Sequence, residues 1–306
     1  MKPKIVIILG PTGVGKTELT LVLAQAINAE IVNADSQQVY RYLDIGTSKP
    51  SKTELKRVRH HLIDVVNPDE EFNAAVYRQL ATARIDEIVK RGAPAFVCGG
   101  TGLYLKTLTG GLFAGPGRDS ELRAKLDREI AETGLVSVYH RLIAVDPGAN
   151  RNIHPNDRQR IIRALEVYQS TGRPLSAWQN EHRFHEQSFD VLKIGLERER
   201  SELYDLINKR TESMIRMGLL DEVRGLMARG YSLDLKPLRS VGYRQMGEVI
   251  KEIKKLPEAV EEMKQETRRL AKRQLTWFRS DPEIRWFHPE KQKRKIADWI
   301  ESFFLR

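Results

Sequence analysis

The 306-residue sequence is 41% hydrophobic and 30% charged, an ordinary composition for a globular protein that buries a sizeable core. It contains no apolar run of about 18 residues, which excludes a transmembrane helix of the usual length. Lysines and arginines outnumber acidic residues by 51 to 41, and the net charge of +10 is unusual for a metabolite kinase. An extended polyanion is the simplest partner for this charge, although basic proteins without nucleic-acid partners are common.

The cysteine and histidine content argues against an internal disulfide and against a zinc site. The single cysteine, Cys98, has no internal disulfide partner, and its apolar neighbours favour a small buried side chain over a nucleophile. The seven histidines lack the spacing of a zinc site. Because Met1-Lys-Pro-Lys leads directly into an apolar segment, we expect no signal peptide and a cytoplasmic location.

The first predicted elements surround a phosphate-binding loop. The sequence Gly10-Pro-Thr-Gly-Val-Gly-Lys-Thr17 matches G-x-x-x-x-G-K-[ST], between a predicted strand from Lys4 to Leu9 and a predicted helix from Glu18 to Ile27. Backbone amides of such a loop bind a diphosphate, while the lysine neutralises phosphate charge and the threonine hydroxyl holds Mg²⁺. ATP, GTP and a prenyl diphosphate all fit this description. The predicted contacts are Gly10, Pro11, Thr12, Gly13, Val14, Gly15, Lys16 and Thr17.

Two later segments reach the same edge of the predicted sheet. A strand from Glu30 to Ala34 leads to Asp35, which is a candidate metal ligand, general base or helix cap. A strand from Pro94 to Cys98 leads to Gly99-Gly-Thr-Gly102, where Thr101 could hydrogen-bond an anion or cap the next helix. Ligands of open α/β sheets bind at the carboxyl ends of the strands, so both segments are candidate site residues.

The remaining elements complete an α/β pattern with an insertion. Strands are predicted at 61–66 and 189–196, and helices at 73–91, 103–108, 199–217 and 219–227. A glycine-rich segment, Gly110 to Gly117, interrupts the alternation, and residues 119–132, 135–145 and 156–170 have helical periodicity without an obvious strand. We therefore predict an α/β, P-loop NTPase-like fold with a mostly parallel sheet flanked by helices. Residues 1–113 and 189–306 would form this core, and 114–188 an inserted all-helical domain.

The predicted helix from Pro257 to Arg279 is basic after Glu266. Arg268 with Lys272, and Arg269 with Arg273, place like charges at i,i+4, which costs a few tenths of a kcal/mol per pair unless a partner offsets the repulsion. A solvated basic face is the alternative. Trp277 and Phe278 are expected in the core. A short strand and an amphipathic helix are predicted at 283–306.

Several segments together resemble the bacterial tRNA dimethylallyltransferases, the IPP transferase or tRNA isopentenyltransferase family. The resemblance extends over nearly the whole chain and is specific in its combination of motifs. Besides the phosphate loop, the segments are Asp35-Ser-Gln-Gln-Val-Tyr40, Asp44-Ile-Gly-Thr-Ser-Lys-Pro50, Gly99-Gly-Thr-Gly-Leu-Tyr104, His154-Pro-Asn-Asp157, Val241-Gly-Tyr-Arg-Gln-Met246 and Lys272-Arg-Gln-Leu-Thr-Trp277.

The resemblance implies transfer of a dimethylallyl group from dimethylallyl diphosphate to N6 of adenosine 37, beside the tRNA anticodon. By similarity, Asp35 is the base, Thr101 is a neighbouring contact, and Lys16 with Mg²⁺ stabilises the departing diphosphate. Adenosine 37 must leave the base stack to react. Arg244 is a candidate for either the donor diphosphate or tRNA phosphate.

By the same resemblance, tRNA contacts come from both the core and the helical insertion. Nothing in the sequence indicates an obligate dimer, so we expect a monomer. The implied contacts are Asp35, Ser36, Gln37, Gln38, Thr101, Arg123, Gln159, Arg160, Ile161, Ile162, Arg163, Arg239, Gly242, Tyr243, Arg244, Lys272, Arg273 and Arg279.

Two other functions share the phosphate loop. A small-molecule or nucleotide kinase would have the same loop and sheet, but it leaves the net charge and the helical insertion unexplained. A P-loop RNA-binding protein that uses nucleotide as a switch would account for the charge without group transfer. Dimethylallyl transfer to tRNA is the function that the family resemblance favours over both.

Overall fold

The computed structural model describes residues 2–112, 115–182 and 187–305. The chain forms two compact units: Met1–Thr109 with Ser188–Arg306, and Gly110–Gln187. The boundaries expected from the sequence, after residue 113 and before residue 189, lie four residues and one residue further along the chain, respectively. In the described part of the chain, no helix is both long and apolar enough to cross a membrane.

A six-stranded sheet forms the centre of the first unit, and the predicted fold class is confirmed. Every strand pairing is parallel, and the strand order is β3-β2-β4-β1-β5-β6. β4 therefore lies between β2 and β1, with Asn33 opposite Cys98 and Leu9 opposite Gly99. The strands are β1 (Lys4–Leu9), β2 (Glu30–Asn33), β3 (His60–His61), β4 (Ala95–Gly99), β5 (Asp190–Leu196) and β6 (Arg285–Phe287).

The central strands are apolar on both faces because helices cover both sides of the sheet. In β1, Ile5 and Ile7 belong to one hydrophobic cluster, while Val6 and Ile8 belong to a second cluster on the opposite face. This alternation follows from the two-residue period of a strand. The sheet thus fixes where each strand ends, and the site is built on those ends.

Helices of the first unit begin and end close to the positions expected from the sequence. Asn73 caps α3, because its side chain accepts hydrogen bonds from the amides of Ala75 and Val76. α2 and α11 were not predicted. The helices are α1 (Lys16–Ala26), α2 (Lys52–Arg57), α3 (Ala74–Lys90), α4 (Gly102–Gly110), α9 (Arg200–Arg216), α10 (Leu219–Ala228), α11 (Tyr243–Ile250), α12 (Leu256–Arg279) and α13 (Lys293–Leu305).

The strand predicted at 61–66 is shorter than expected. β3 contains only His60 and His61, because Leu62 and Asp64 have positive φ angles of 61° and 55° and carry the backbone out of the sheet. Val66 retains only an isolated parallel bridge to Tyr40. The apolar pattern of this segment thus reflects core packing more than strand pairing.

The regular elements in the described residues of the second unit are all helical. Asp119 and Asp157 cap α5 and α7, and Gly172, in a left-handed conformation, ends α7. Its core includes Leu126 and Leu142. The elements are α5 (Ser120–Thr133), α6 (Leu135–Val145), a 3-10 turn (Pro147–Arg151), α7 (Arg158–Thr171) and α8 (Leu175–His182), the last of which was not predicted.

Candidate active site

The phosphate loop connects β1 to α1 in the first unit. Gly13 and Gly15 have φ angles of 81° and 101°, a left-handed conformation that residues with a side chain rarely adopt. The Lys16 ammonium donates hydrogen bonds to the carbonyl oxygens of Gly10 (2.9 Å) and Pro11 (2.7 Å). The lysine is therefore held against its own loop, at the N-terminus of a helix, where an anion is favoured.

The surroundings of Lys16 lower the pKa of its ammonium group. This pKa is lowered to about 8, mainly by burial and also by the nearby guanidinium of Arg210, while Cys98 and Asp35 act in the opposite direction. A bound diphosphate would supply the negative charge that favours the ammonium. The thiol of Cys98 accepts a hydrogen bond from Thr20 (3.3 Å), and burial raises the pKa of that thiol.

Asp35 follows β2 and lies in a turn, where no helix begins. Its Oδ1 accepts hydrogen bonds from the amides of Gln37 (2.8 Å) and Gln38 (3.4 Å). Its Oδ2 has no hydrogen bond with any residue in the described part of the chain. The helix-cap interpretation is therefore replaced by a split role, in which one oxygen fixes the turn and the other can accept a proton.

Thr101 joins the end of β4 to the turn that contains Asp35. Its hydroxyl accepts a hydrogen bond from the amide of Ser36 (2.9 Å), and its own amide donates to the carbonyl of Ala34 (3.2 Å). Because β2, β4 and β1 are neighbours in the sheet, Asp35, Thr101 and the phosphate loop meet at one edge. The sequence predicted this edge, and the strand order brings the three segments together.

A second cation, Arg210 of α9, also faces the phosphate loop and was not predicted from the sequence. Its Nη1 donates a hydrogen bond to the hydroxyl of Thr12 (3.2 Å), and burial lowers its pKa, while Asp35 raises it. The available signal was positional: Leu203, Ile207 and Met214 form the buried stripe of α9, and Arg210 follows Ile207 by three residues on that side. A charged residue at a core-facing position is a candidate site residue.

The residues at the loop fit a magnesium ion that a diphosphate would share. The Thr17 hydroxyl, at the start of α1, makes no side-chain hydrogen bond within the described ranges. Those ranges also contain no cluster of three or more His, Cys, Asp or Glu residues able to bind a metal. Magnesium commonly takes few protein ligands and completes its shell with phosphate oxygens and water, so a single threonine hydroxyl suits it.

The basic helix α12 has an exposed face that carries some of the implied tRNA contacts. Lys272 and Arg273 are exposed and form no ion pair with a described residue, whereas Arg279 lies 3.4 Å from Glu197. Phe278 is buried, as expected, but Trp277 is 40% exposed, so its assignment to the core was wrong. Adjacent helical positions differ by about 100° in direction, and only one of these two aromatic residues reaches the core.

In the second unit, the implied contact segment at 159–163 is only partly accessible. Gln159 and Arg160 are exposed, but Ile161 and Ile162 are buried in the core of the helical unit. The two isoleucines therefore have no side-chain surface for RNA, because they occupy the apolar face of α7. We retain Gln159, Arg160 and Arg163 as the accessible members of this segment.

Two of the implied tRNA contacts, Arg123 and Arg163, are organised by one buried carboxylate. Glu166 accepts hydrogen bonds from Nε and Nη2 of Arg123 (2.7 and 2.8 Å) and from Nη1 of Arg163 (2.6 Å), as well as from the amide of Asp119. Its side chain has 0% exposure. Although burial opposes the ionised form, these hydrogen bonds lower its pKa to about 2.

The implied contact segment at 239–244 also divides into exposed and buried parts. Arg239 is exposed, but Gly242 and Tyr243 are buried, and the Tyr243 hydroxyl donates a hydrogen bond to Glu222 (2.6 Å). The buried Tyr243 side chain therefore has no surface for tRNA, and the Gly242 amide already donates a hydrogen bond to Gln245 (2.8 Å), which contradicts both implied contacts. Arg244 forms ion pairs with Glu248 (2.9 Å) and Glu262 (2.7 Å), so its role toward either phosphate stays a prediction.

Beside Asp35, the implied contacts form a partly exposed turn. Gln38 donates hydrogen bonds to the carbonyls of Thr47 (3.1 Å) and Ser48 (3.2 Å), which fix its side chain. Gln37 differs, because its Oε1 is buried and has no hydrogen-bond partner in the described part of the protein. A buried acceptor without a hydrogen bond lowers the stability of the fold, and this oxygen is available to accept a hydrogen bond from a donor on a substrate.

Comparison with known proteins identifies the family. A sequence model described as IPP transferase matches residues 38–281. This chain belongs to the IPP transferase family. A family member from Geobacter sulfurreducens, named tRNA dimethylallyltransferase, is 50% identical over 303 residues, which are 99% of this chain and 97% of that protein. Another of the same name from Syntrophobacter fumaroxidans is 52% identical over 283 residues, 92% of this chain and 83% of that protein.

Solved structures of IPP transferases share the fold. The tRNA isopentenylpyrophosphate transferase of Bacillus halodurans is 38% identical with a TM-score of 0.74, and the match covers 99% of this chain and 97% of that one. A eukaryotic dimethylallyltransferase, described as acting on tRNA, is 31% identical with a TM-score of 0.74, over 90% of this chain and 69% of that one. The resemblance found in the sequence motifs is thereby confirmed.

Proposed function

We propose that this IPP transferase moves a dimethylallyl group from dimethylallyl diphosphate to N6 of adenosine 37 in tRNA and releases diphosphate. The observation that carries the proposal is the meeting of Asp35, Thr101 and the phosphate loop at the ends of three adjacent strands. Family membership and the names of full-length relatives support tRNA as the acceptor. The enzyme is accordingly a prenyltransferase.

The proposed donor site is the phosphate loop. The amides of the loop, the Lys16 ammonium and the Arg210 guanidinium are positive groups in place before the bond to the diphosphate breaks, so they stabilise the charge that develops on it. Mg²⁺, which the Thr17 hydroxyl would help to hold, would supply further positive charge for the same leaving group. Lys16 would exchange its contacts with Gly10 and Pro11 for phosphate oxygens.

The proposed base is Asp35. Adenine N6 is a poor nucleophile, and the free Oδ2 of Asp35 accepts the proton that the amine loses as the new C–N bond forms. The hydrogen bonds to Oδ1 and the bond from Ser36 to Thr101 fix the orientation of the carboxylate. Gln37 Oε1, an acceptor beside this carboxylate in sequence, is suited to a donor on the flipped base.

The proposed tRNA contacts are the exposed cations of each unit. Three of these cations are exposed and are not paired with a buried carboxylate of a described residue, so they can bind phosphates: Lys272 and Arg273 on α12, and Arg160 in the helical unit. The helical unit is proposed to contact tRNA through α7. A tRNA substrate supports the cytoplasmic location expected from the sequence, and we propose that the enzyme acts as a monomer.

One experiment tests the function directly. Purified protein is incubated with unmodified tRNA, dimethylallyl diphosphate and Mg²⁺, and the nucleosides are then analysed by mass spectrometry. Adenosine that carries one dimethylallyl group in place of one hydrogen, located at position 37, is the expected product. Recovery of only unmodified adenosine would contradict the proposal and favour an RNA-binding switch.

A thermal-shift comparison separates the donor from a nucleotide. A ligand that binds the folded state raises the melting temperature according to its affinity. Dimethylallyl diphosphate should stabilise the protein more than ATP at the same concentration. A larger stabilisation by ATP would instead favour a kinase.

A further inference from the structure

One side chain of α12 connects two of the three segments that form the proposed site. Gln274 accepts a hydrogen bond at Oε1 from the amide of Thr12 in the phosphate loop (2.8 Å). Its Nε2 donates to the carbonyl of Gly100, in the loop after β4 (2.9 Å). A single partly buried amide thus spans two segments that are far apart in the chain.

The loop after β4 packs so closely on α12 that a larger residue at either of two glycines would displace a side chain of the helix. A Cβ added to Gly100 would lie 2.5 Å from Nε2 of Gln274, and a Cβ added to Gly102 would lie 2.3 Å from Nε1 of Trp277. Both distances are shorter than real Cβ contacts. The backbone of this loop therefore lies directly on one face of α12, and Gln274 is at the centre of that contact.

The chemistry of both contacts requires an amide side chain. A backbone N–H needs an acceptor and a backbone carbonyl needs a donor, and glutamine supplies one of each. Glutamate keeps the acceptor but has no donor when it is ionised, and leucine, of similar size, has neither. The orientation of the amide follows from its partners.

We propose that Gln274 is a positioning residue for dimethylallyl transfer, which sets the separation between the diphosphate site and the base. Its bond to Thr12 fixes the phosphate loop, and its bond to Gly100 fixes the loop in which Thr101 holds the Ser36 amide next to Asp35. The phosphate loop would hold the donor, and the loop after β4 supports, through Thr101, the turn that carries the proposed base. The inference rests on the proposed function.

The expected consequence concerns catalysis more than binding. β1 and α1 hold the phosphate loop from both sides, so inorganic diphosphate should still bind when Gln274 is lost. The distance between the reacting atoms would be less well defined, and a misplacement of about 1 Å can lower a rate about 100-fold. A residue that served only the stability of the fold would instead lower the melting temperature and leave the activity of the folded enzyme intact.

The experiment compares Gln274→Leu and Gln274→Glu with a matched control, Gln265→Leu. Gln265 is an exposed glutamine on the same helix with no partner among the described residues. Turnover, Kd for inorganic diphosphate and melting temperature are measured for each. We expect a fall in kcat of about 10- to 100-fold in Gln274→Leu, with a Kd for diphosphate within about threefold of the wild type. Gln274→Glu keeps the acceptor for Thr12 but adds a negative charge beside the phosphate loop, so it should also weaken diphosphate binding. Gln265→Leu should match the wild type.

A double-mutant cycle tests whether the contact with Gly100 carries the effect. Gly100→Ala should lower kcat in the wild-type background, because the new methyl group meets Nε2 of Gln274. Added to Gln274→Ala, the same change should lower kcat by less than about threefold further, since the opposing atom is gone. Additive losses would overturn the proposal.

The outcomes distinguish this inference from the proposed function. An active wild type with an equally active Gln274→Leu variant, or a variant that loses only melting temperature, would overturn the positioning role alone. A wild type that transfers no dimethylallyl group would overturn both. Loss of diphosphate binding together with unchanged kcat would show that Gln274 serves the donor site only, which also contradicts the proposal.

Discussion

One substitution distinguishes the roles of the two Asp35 oxygens. In Asp35→Asn, the side-chain oxygen can still accept the amides of Gln37 and Gln38, so the turn should form and the melting temperature should hold. The group that replaces Oδ2 cannot accept a proton, and loss of a general base typically costs 10²- to 10⁴-fold in turnover. Single-turnover kinetics with saturating tRNA and donor measure this loss. A variant with reduced stability and normal specific activity would show that the residue only orders the turn.

Lys16 predicts a pH dependence of donor binding. Its pKa is about 8 in the folded protein and 10.5 as an ordinary lysine, so the free enzyme loses this positive charge as the pH rises through about 8. Affinity for dimethylallyl diphosphate should therefore fall above that pH, by at most about tenfold per pH unit. Lys16→Ala should remove this dependence and lower turnover by about two decades. Calorimetric titrations on both sides of the pKa test this, and a pH-independent wild-type affinity would contradict it.

The lowered pKa of Lys16 also makes the free energy of unfolding depend on pH. Between about pH 8 and pH 10.5 the unfolded chain binds a proton at Lys16 that the folded chain does not. Where the unfolded state binds more protons, stability rises with pH. The contribution of Lys16 to stability should thus be unfavourable below about pH 8 and diminish as the pH rises toward 10.5. Diphosphate should reverse this cost, because it favours the ammonium.

At the scale of elements, Glu166 joins α5 to α7. Glu166→Ala removes the buried carboxylate that Arg123 and Arg163 share; because both arginines are partly exposed, the cost should lie below the roughly 3–5 kcal/mol of a fully buried pair. Amide hydrogen exchange along α7 should show the loss. Asp127→Asn is the control, because Asp127 pairs with Arg158 at the surface and should contribute at most about 1 kcal/mol. Equal effects of the two substitutions would contradict the role of Glu166.

Acid should weaken the same helix pair. The pKa of Glu166 is about 2 in the folded state, against 4.5 as an ordinary glutamate. A depressed carboxylate pKa contributes stability above the unfolded value, and the contribution is lost as the pH falls from about 4.5 toward 2. Protection of the α7 amides should decline over that range in the wild type. Glu166→Gln should show a smaller decline.

Elements defined by local patterns could be predicted from the sequence, and elements defined by packing could not. The phosphate loop and its flanking β1 and α1 follow from an apolar run, glycines and a helical pattern that are contiguous in the chain. β3 is short because of the backbone angles at Leu62 and Asp64, which no period reveals. α7 was predicted to begin near its observed start because Asp157 caps it.

Some residues of the candidate site could likewise be predicted from the sequence, and others could not. Asp35 and Thr101 could be located because each follows a strand, but their closeness depends on a strand order that the sequence pattern does not contain. Arg210 and Gln274 reach the phosphate loop from 198 and 262 residues away, so only the folded chain shows their contacts with Thr12. The isoleucines at 161 and 162 were assigned to tRNA because a contiguous motif says nothing about which side of a helix is buried.

For the whole molecule, the net charge of +10 predicts that tRNA affinity depends on salt concentration. Each phosphate neutralised by a lysine or arginine releases counterions, so tRNA affinity should fall linearly on a plot of log K against log[salt]. The structure separates cations on α12 that are free to act from those already paired. Lys272 and Arg273 have no ion pair among the described residues, whereas Arg269 pairs with Glu266 at 2.7 Å.

Replacing Lys272 and Arg273 together with glutamine should remove two phosphate contacts and flatten the salt slope by about one to two units, because each contact contributes slightly less than one. Arg269→Gln is the matched control and should change the slope by less, because its charge is partly offset by Glu266. Affinity for dimethylallyl diphosphate should be unchanged in both variants, since these side chains are not among the contacts of the phosphate loop. Stability should hold or rise slightly because like-charge repulsion along the helix is relieved. Filter-binding titrations over a range of salt concentrations provide the slopes. An unchanged slope in the double variant with a loss of stability would make α12 a structural helix, and the exposed cations around Arg158 and Arg160 would then be the next to test.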